Sequence, residues 1–140
     1  SRMADNSQLI LRWEIDDVTA RAATGKIESE VFEKGGFEWT FSAERFTSSV
    51  GHKAKFIMKC AMDLRRSWKC EGDVDMRLIH TNGDAPYVFL YKGLFCFDED
   101  NCIYKNKRTR VWWNYFSDPL FIENDKVTIE IAINIAKFER

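Results

Sequence analysis

Apolar and polar residues alternate with a period of two along most of the chain, and no stretch sustains a helical period. The C-terminal run shows this most plainly. Val127, Ile129, Ile131, Ile133 and Ile135 share one face, and Thr128, Glu130, Ala132 and Asn134 share the other. Such a strand buries one side and wets its opposite. The N-terminal run repeats the pattern, with Leu9, Leu11, Trp13 and Ile15 set against Arg12, Glu14 and Asp16. Residues 27–33 lead through Lys34-Gly35-Gly36 into Phe37, Trp39, Phe41 and Ala43, alternating with Glu38, Thr40 and Ser42. That order predicts a hairpin whose glycines supply the positive φ of a tight turn.

Further along, Ala54, Phe56, Met58 and Cys60 are expected to face inward and Lys53, Lys55, Ile57 and Lys59 outward. Over residues 68–79 the inward set is Trp68, Cys70, Val74, Met76 and Leu78. Asn82-Gly83 then predicts a second hairpin, with Tyr87, Phe89, Tyr91, Phe95 and Phe97 on the return strand. Residues 98–110 read as a long polar loop, and residues 111–116 as a short aromatic segment ended by Ser117-Asp118-Pro119. Seven to eight strands without helical crossovers predict an all-β fold, an antiparallel β-sandwich.

Composition agrees with this picture. At 140 residues, 45% apolar and 31% charged, the chain can bury one core and is not a disordered polymer. One domain over residues 4–140 is expected, and Ser1-Arg2-Met3 reads as an expression scar. No apolar run is long enough for a membrane-spanning helix or a signal h-region. The formal charge is −1, so no global field draws nucleic acid or an anionic membrane. The four cysteines, Cys60, Cys70, Cys96 and Cys102, form no C-x-x-C pair, and only His52 and His80 could join them at a metal. No metal or cofactor is expected, and the thiols point to a reduced, intracellular setting, cytoplasmic or nuclear.

Catalytic constellations are missing from the sequence. There is no G-x-S-x-G elbow, no glycine-rich phosphate loop before a helix and no H-E-x-x-H. His80 is expected at an exposed strand end and His52 in a loop, with nothing to place either beside a thiol. The acids Asp98, Glu99 and Asp100 lack the spacing of a calcium loop. The expectation is a chain that is not an enzyme.

Several motifs, in order, carry a resemblance. They are Trp13-Glu14-Ile15; Ser29 and Phe32 ahead of Gly35-Gly36 and Trp39; Trp68-x-Cys70; Leu78 to Asp84; and Phe121-Ile122-Glu123-Asn124-Asp125-Lys126-Val127-Thr128-Ile129. In this order the chain resembles a MATH domain, the meprin and TRAF-C homology fold, from about Leu9 to Phe138. The resemblance implies an eight-stranded TRAF-like sandwich that binds short extended peptides and serves as a recognition or adaptor domain, in ubiquitin-ligase substrate selection or signalling. Two departures stand out. The family's W-G pair is Trp112-Trp113-Asn114 here, and the 98–110 loop is longer than in peptide-binding members.

Carried over residue by residue, the resemblance implies peptide contacts at Tyr91, Phe95, Trp113, Tyr115, Val74 and Lys53, each of which also reads as ordinary sandwich structure. Adjacent tryptophans in a strand face opposite sides, so partial exposure is expected of Tyr115 and the Trp112/Trp113 pair. Lys53, Lys55 and Lys59 line one outward face, and Lys105, Lys107, Arg108 and Arg110 form a basic run beside the tryptophans. Read functionally, these residues suit an acidic or phosphorylated segment of a protein partner; read plainly, they are a solvated loop. The alternatives are a homodimer through an edge strand, and nucleic-acid binding through residues 104–113, which the near-zero net charge disfavours.

Overall fold

The computed structural model describes residues 7–62, 67–81, 87–105 and 111–139. In chain order the elements are β1 (Ser7–Ile15), α1 (Val18–Ala23), β2 (Lys26–Glu28), β3 (Phe32–Lys34), β4 (Phe37–Ser48), β5 (Gly51–Ala61), β6 (Lys69–Leu78), β7 (Val88–Asp98), β8 (Ile103–Lys105) and β9 (Val127–Glu139). A 3-10 turn over Trp113–Ser117 separates β8 from β9. One sheet has the order β1-β9-β6-β7; the other runs β2-β4-β5-β8, with β3 also paired to β4. Every pairing is antiparallel. The protein is the expected antiparallel β-sandwich.

The inward faces meet in one aromatic-rich core. Trp13 of the first sheet stacks on Phe41 of the second at 6.3 Å, and Phe95 meets Trp39 edge-on at the same separation. The alternating faces of β1 and β9 follow expectation, with Leu9, Leu11, Trp13 and Ile15 buried opposite Ile133, Ile131, Ile129 and Val127. Trp68, Cys70, Val74, Met76 and Leu78 are buried as well.

Two turns explain motifs in the sequence. Gly35 and Gly36, at φ 64° and 85°, close the β3–β4 hairpin between the paired Lys34 and Phe37. Asn124 and Asp125, at φ 54° and 56°, form a second such turn, across which Glu123 and Lys126 exchange backbone hydrogen bonds of 3.0 Å. Asn and Asp tolerate the left-handed region better than other side chains. Asp125 also caps α1: its carbonyl accepts from the Val18 amide at 3.0 Å, and its Oδ1 accepts from the Thr19 amide and hydroxyl at 3.0 and 2.6 Å. The N-D motif is therefore a structural joint between β9 and α1.

Several expectations are corrected. The segment after β1 holds the short helix α1, six residues that no periodicity announces. His52 lies in β5, not a loop, with its Nδ1 3.2 Å from the Thr47 hydroxyl. His80 is half-buried against the Phe121 ring at 5.7 Å. Residues 103–105 of the expected loop are β8, paired with β5. Residues 113–117 form a 3-10 turn, not a strand. On β7 the phase slips. Tyr91 pairs with Met76 but Phe89 with Arg77, so Leu90 is the extra residue and turns inward, while Tyr87 and Phe89 are left exposed. Asn82-Gly83 and residues 1–3 lie outside the described residues.

Candidate functional site

The outer face of the second sheet gathers lysines that form no ion pair among the described residues. Register sets Phe46 beside Lys53, Glu44 beside Lys55, Ser42 beside Ile57 and Thr40 beside Lys59. Alternation thus places Lys53, Lys55, Ile57 and Lys59 in one outward row, about 20 Å long at roughly 3.4 Å per residue. Among the described residues no carboxylate pairs with any of these lysines. Glu44 and Glu28 are both held by Lys26, at 3.7 and 3.2 Å. Ile57, expected outward, does face that way but is buried at 7% exposure, which makes an apolar floor between the lysines.

At one end of the row Trp112 bridges to Lys53 by backbone pairing, and the Lys53 ammonium sits 5.4 Å from the centre of the Trp112 ring. Phe46, 38% exposed, lies on the other side of Lys53. The row therefore offers cations, a half-open aromatic and an apolar floor on one sheet face.

The six contacts carried over from the resemblance do not assemble into an exposed groove. Val74, Phe95 and Trp113 are buried core residues. Phe95 stacks on Phe97 at 5.0 Å, and Trp113 donates its Nε1–H to the Ala22 carbonyl at 3.0 Å. Of the Trp112/Trp113 pair, expected to be partly exposed, Trp112 is the one that leaves the core, and the chain enters a 3-10 turn directly after it. Tyr115 is half-buried, edge-on to Phe121 at 6.0 Å. Tyr91 is half-buried too. It folds inward over Gly93 and donates its hydroxyl to that of Tyr104 on β8. Burial, then that hydrogen bond, holds the Tyr91 phenol above its usual range. Lys53 alone of the six stands on the lysine face. Lys105 lies opposite Ile57 in the register, at the end of β8. Lys107, Arg108 and Arg110 lie outside the described residues.

Sequence reasoning missed Trp112, Phe46, Thr40 and Ser42 as members of this face. For Trp112 the signal was present, since one tryptophan of the pair had to leave the core. A second exposed cluster sits at the start of β7, where the guanidinium of Arg77 on β6 lies 4.4 Å from the ring of Tyr87, just ahead of the strand, and 5.3 Å from Phe89. Leu94, 78% exposed, stands further along the same strand.

The sequence profile of the MATH domain matches residues 15–135, and the chain belongs to the MATH domain family. Among curated proteins no match to the chain is found. MATH domains generally serve as protein–protein interaction modules and are typically non-catalytic. No helix among the described residues is long and apolar enough to cross a membrane.

Proposed function

We propose that this domain docks an extended acidic segment of a protein partner along the outward row of β5. The observation that carries the reading is the set of three lysines, Lys53, Lys55 and Lys59, spaced on one strand without carboxylate partners among the described residues. An extended peptide has the same two-residue repeat as the strand beneath it, so its alternate side chains meet the lysines in register. Each exposed ion pair contributes only about 0.2–1 kcal/mol, so several must act together and binding weakens with salt. Trp112 adds apolar area at the end of the row. In this role the domain is a recognition or adaptor unit that brings its partner to a larger assembly, for ubiquitin-ligase substrate selection or for signalling. The four free thiols support a reduced, intracellular setting.

The test is fluorescence anisotropy with a labelled glutamate-rich octapeptide. Wild type should bind it with salt-sensitive affinity, and Lys55→Glu/Lys59→Glu should weaken binding at least about tenfold. Unchanged binding by the reversed variant rejects the reading. A homodimer through β7 is the second reading, favoured by exposed Tyr87, Phe89 and Leu94 on that edge. Light scattering that shows a dimer in wild type and a monomer in Leu94→Lys would support it, and a monomeric wild type would end it.

A further inference from the structure

At the Lys59 end of the lysine row the surface opens into a cavity of about 160 Å³, floored by Ile57 and by the backbone of β4 at Phe41 and walled by Glu28, Thr40, Ser42 and Lys59. It lies where β2 has ended and β3 has not begun. Ser29 creates that break. Its amide donates to the Phe41 carbonyl and its Oγ accepts from the Phe41 amide, both at 2.8 Å, so the edge of β4 is satisfied by one residue rather than a continuous strand. Liquid water takes about 30 Å³ per molecule, so the cavity has room for roughly five waters, or one amino-acid side chain.

Its lining carries unused hydrogen-bonding capacity. Ser42 is 9% exposed, yet its hydroxyl bonds to no described protein group, and neither does that of Thr40. Lys59, opposite Thr40 in the register, has no carboxylate partner among the described residues. Two hydroxyl donors and an ammonium thus line one small space with an apolar floor, a donor set suited to anionic oxygens. Glu28 at the wall, held by Lys26 at 3.2 Å, limits the charge that can enter. A carboxylate brings one negative charge, whereas a phosphate dianion brings nearly two and meets stronger repulsion from Glu28.

We infer that this cavity is a subsite for one carboxylate side chain, glutamate or aspartate, of the segment docked on β5. The inference rests on the docking reading above and adds a sequence preference to it. Thr40 and Ser42 donate to the carboxylate oxygens, Lys59 neutralises them, and Ile57 receives the methylene stem.

The experiment uses acidic octapeptide libraries whose central residue is fixed as glutamate, glutamine or phosphoserine, with anisotropy as the readout. Wild type should prefer glutamate over glutamine by roughly fivefold, the scale of one net hydrogen bond. Thr40→Val/Ser42→Ala should bring that ratio below about twofold while acidic peptides still bind through Lys53 and Lys55. Urea unfolding would verify that the variant folds. A glutamate preference that survives in the variant overturns the subsite and leaves the docking reading standing. A phosphoserine preference over glutamate overturns the carboxylate assignment. Failure of every acidic library to bind wild type overturns both.

Discussion

Gly72 and Gly93 face the core on neighbouring strands, and replacing each with alanine tests the packing in two different ways. Around Gly72 on β6, a Cβ would fall inside the van der Waals envelope of the Asn134 carbonyl oxygen on β9 and 3.0 Å from Cζ of Phe95. The first obstacle is backbone of a central strand and cannot swing away. Gly72→Ala should therefore cost about 1–3 kcal/mol in overpacking and roughly 1 kcal/mol in a weakened ladder hydrogen bond. A less flexible unfolded chain returns about 0.4–1 kcal/mol. The net loss is about 2–3 kcal/mol, or roughly 6–10 °C in Tm for a chain of this size. At Gly93 the added Cβ would meet the Tyr91 hydroxyl and lie 2.6 Å from its Cζ. That obstacle is the end of a side chain, which can rotate out at the expense of its bond to Tyr104. Gly93→Ala should cost about 1 kcal/mol, and in a Tyr91→Leu background the cost should vanish. Urea denaturation of the four variants measures both effects. A Gly72→Ala loss smaller than that of Gly93→Ala, or a Gly93→Ala cost that persists without Tyr91, would refute the reasoning.

Other outcomes follow from the same contacts. Asp125→Ala removes the carboxylate that caps α1 and leaves alanine at φ 56°, so it should cost about 2 kcal/mol in urea unfolding, with Asp125→Asn losing less. Trp113→Phe removes the indole bond to the Ala22 carbonyl, which still accepts from the Gly25 amide at 3.1 Å, and should cost about 1 kcal/mol, whereas Trp112→Phe should be near neutral. With a thiol reagent at neutral pH, exposed Cys96 should react first and half-buried Cys102 next, and buried Cys60 and Cys70 should react only on unfolding. Burial pushes the Cys70 thiol up to about 12. Its folded-state pKa lies above the unfolded one, so the stability it contributes is intact below about pH 8.5 and is lost as pH rises from there toward the folded value, at about 1.4 kcal/mol per pH unit. Cys70→Ala should flatten that alkaline decline, and an unchanged slope would contradict the assignment.

The strands with one buried and one wet face were legible in the sequence because alternation there follows directly from burial. β1 and β9 are the clear cases, and the Gly35-Gly36 hairpin was legible from turn chemistry. Features set by tertiary context were not. Helix α1 is too short for a period, and its cap is Asp125, more than a hundred residues away, so no local signal marks it. The bulge that turns Leu90 inward on β7 depends on pairing with β6, and the return strand's aromatics were accordingly read one phase too far. Ile57 reads as outward by alternation and is outward, yet its burial depends on neighbouring rows. The candidate site was legible as a row of lysines on β5. The aromatic contacts carried over from the family were less informative, because in this chain Val74, Phe95 and Trp113 fill the core. The exposed tryptophan is Trp112, whose partner Lys53 had been picked out already.

The central claim is that a partner lies on the outer face of the second sheet, and amide chemical-shift mapping tests it most directly. Titration of isotope-labelled wild type with the glutamate-rich octapeptide should move resonances of Thr40, Ser42, Lys53, Lys55, Ile57, Lys59 and the Trp112 indole. The outer face of β1, β9 and β6 should stay unchanged. Shifts confined to Tyr87, Phe89 and Leu94 on β7, with the β5 row silent, would contradict the account and move the docking site to the other sheet.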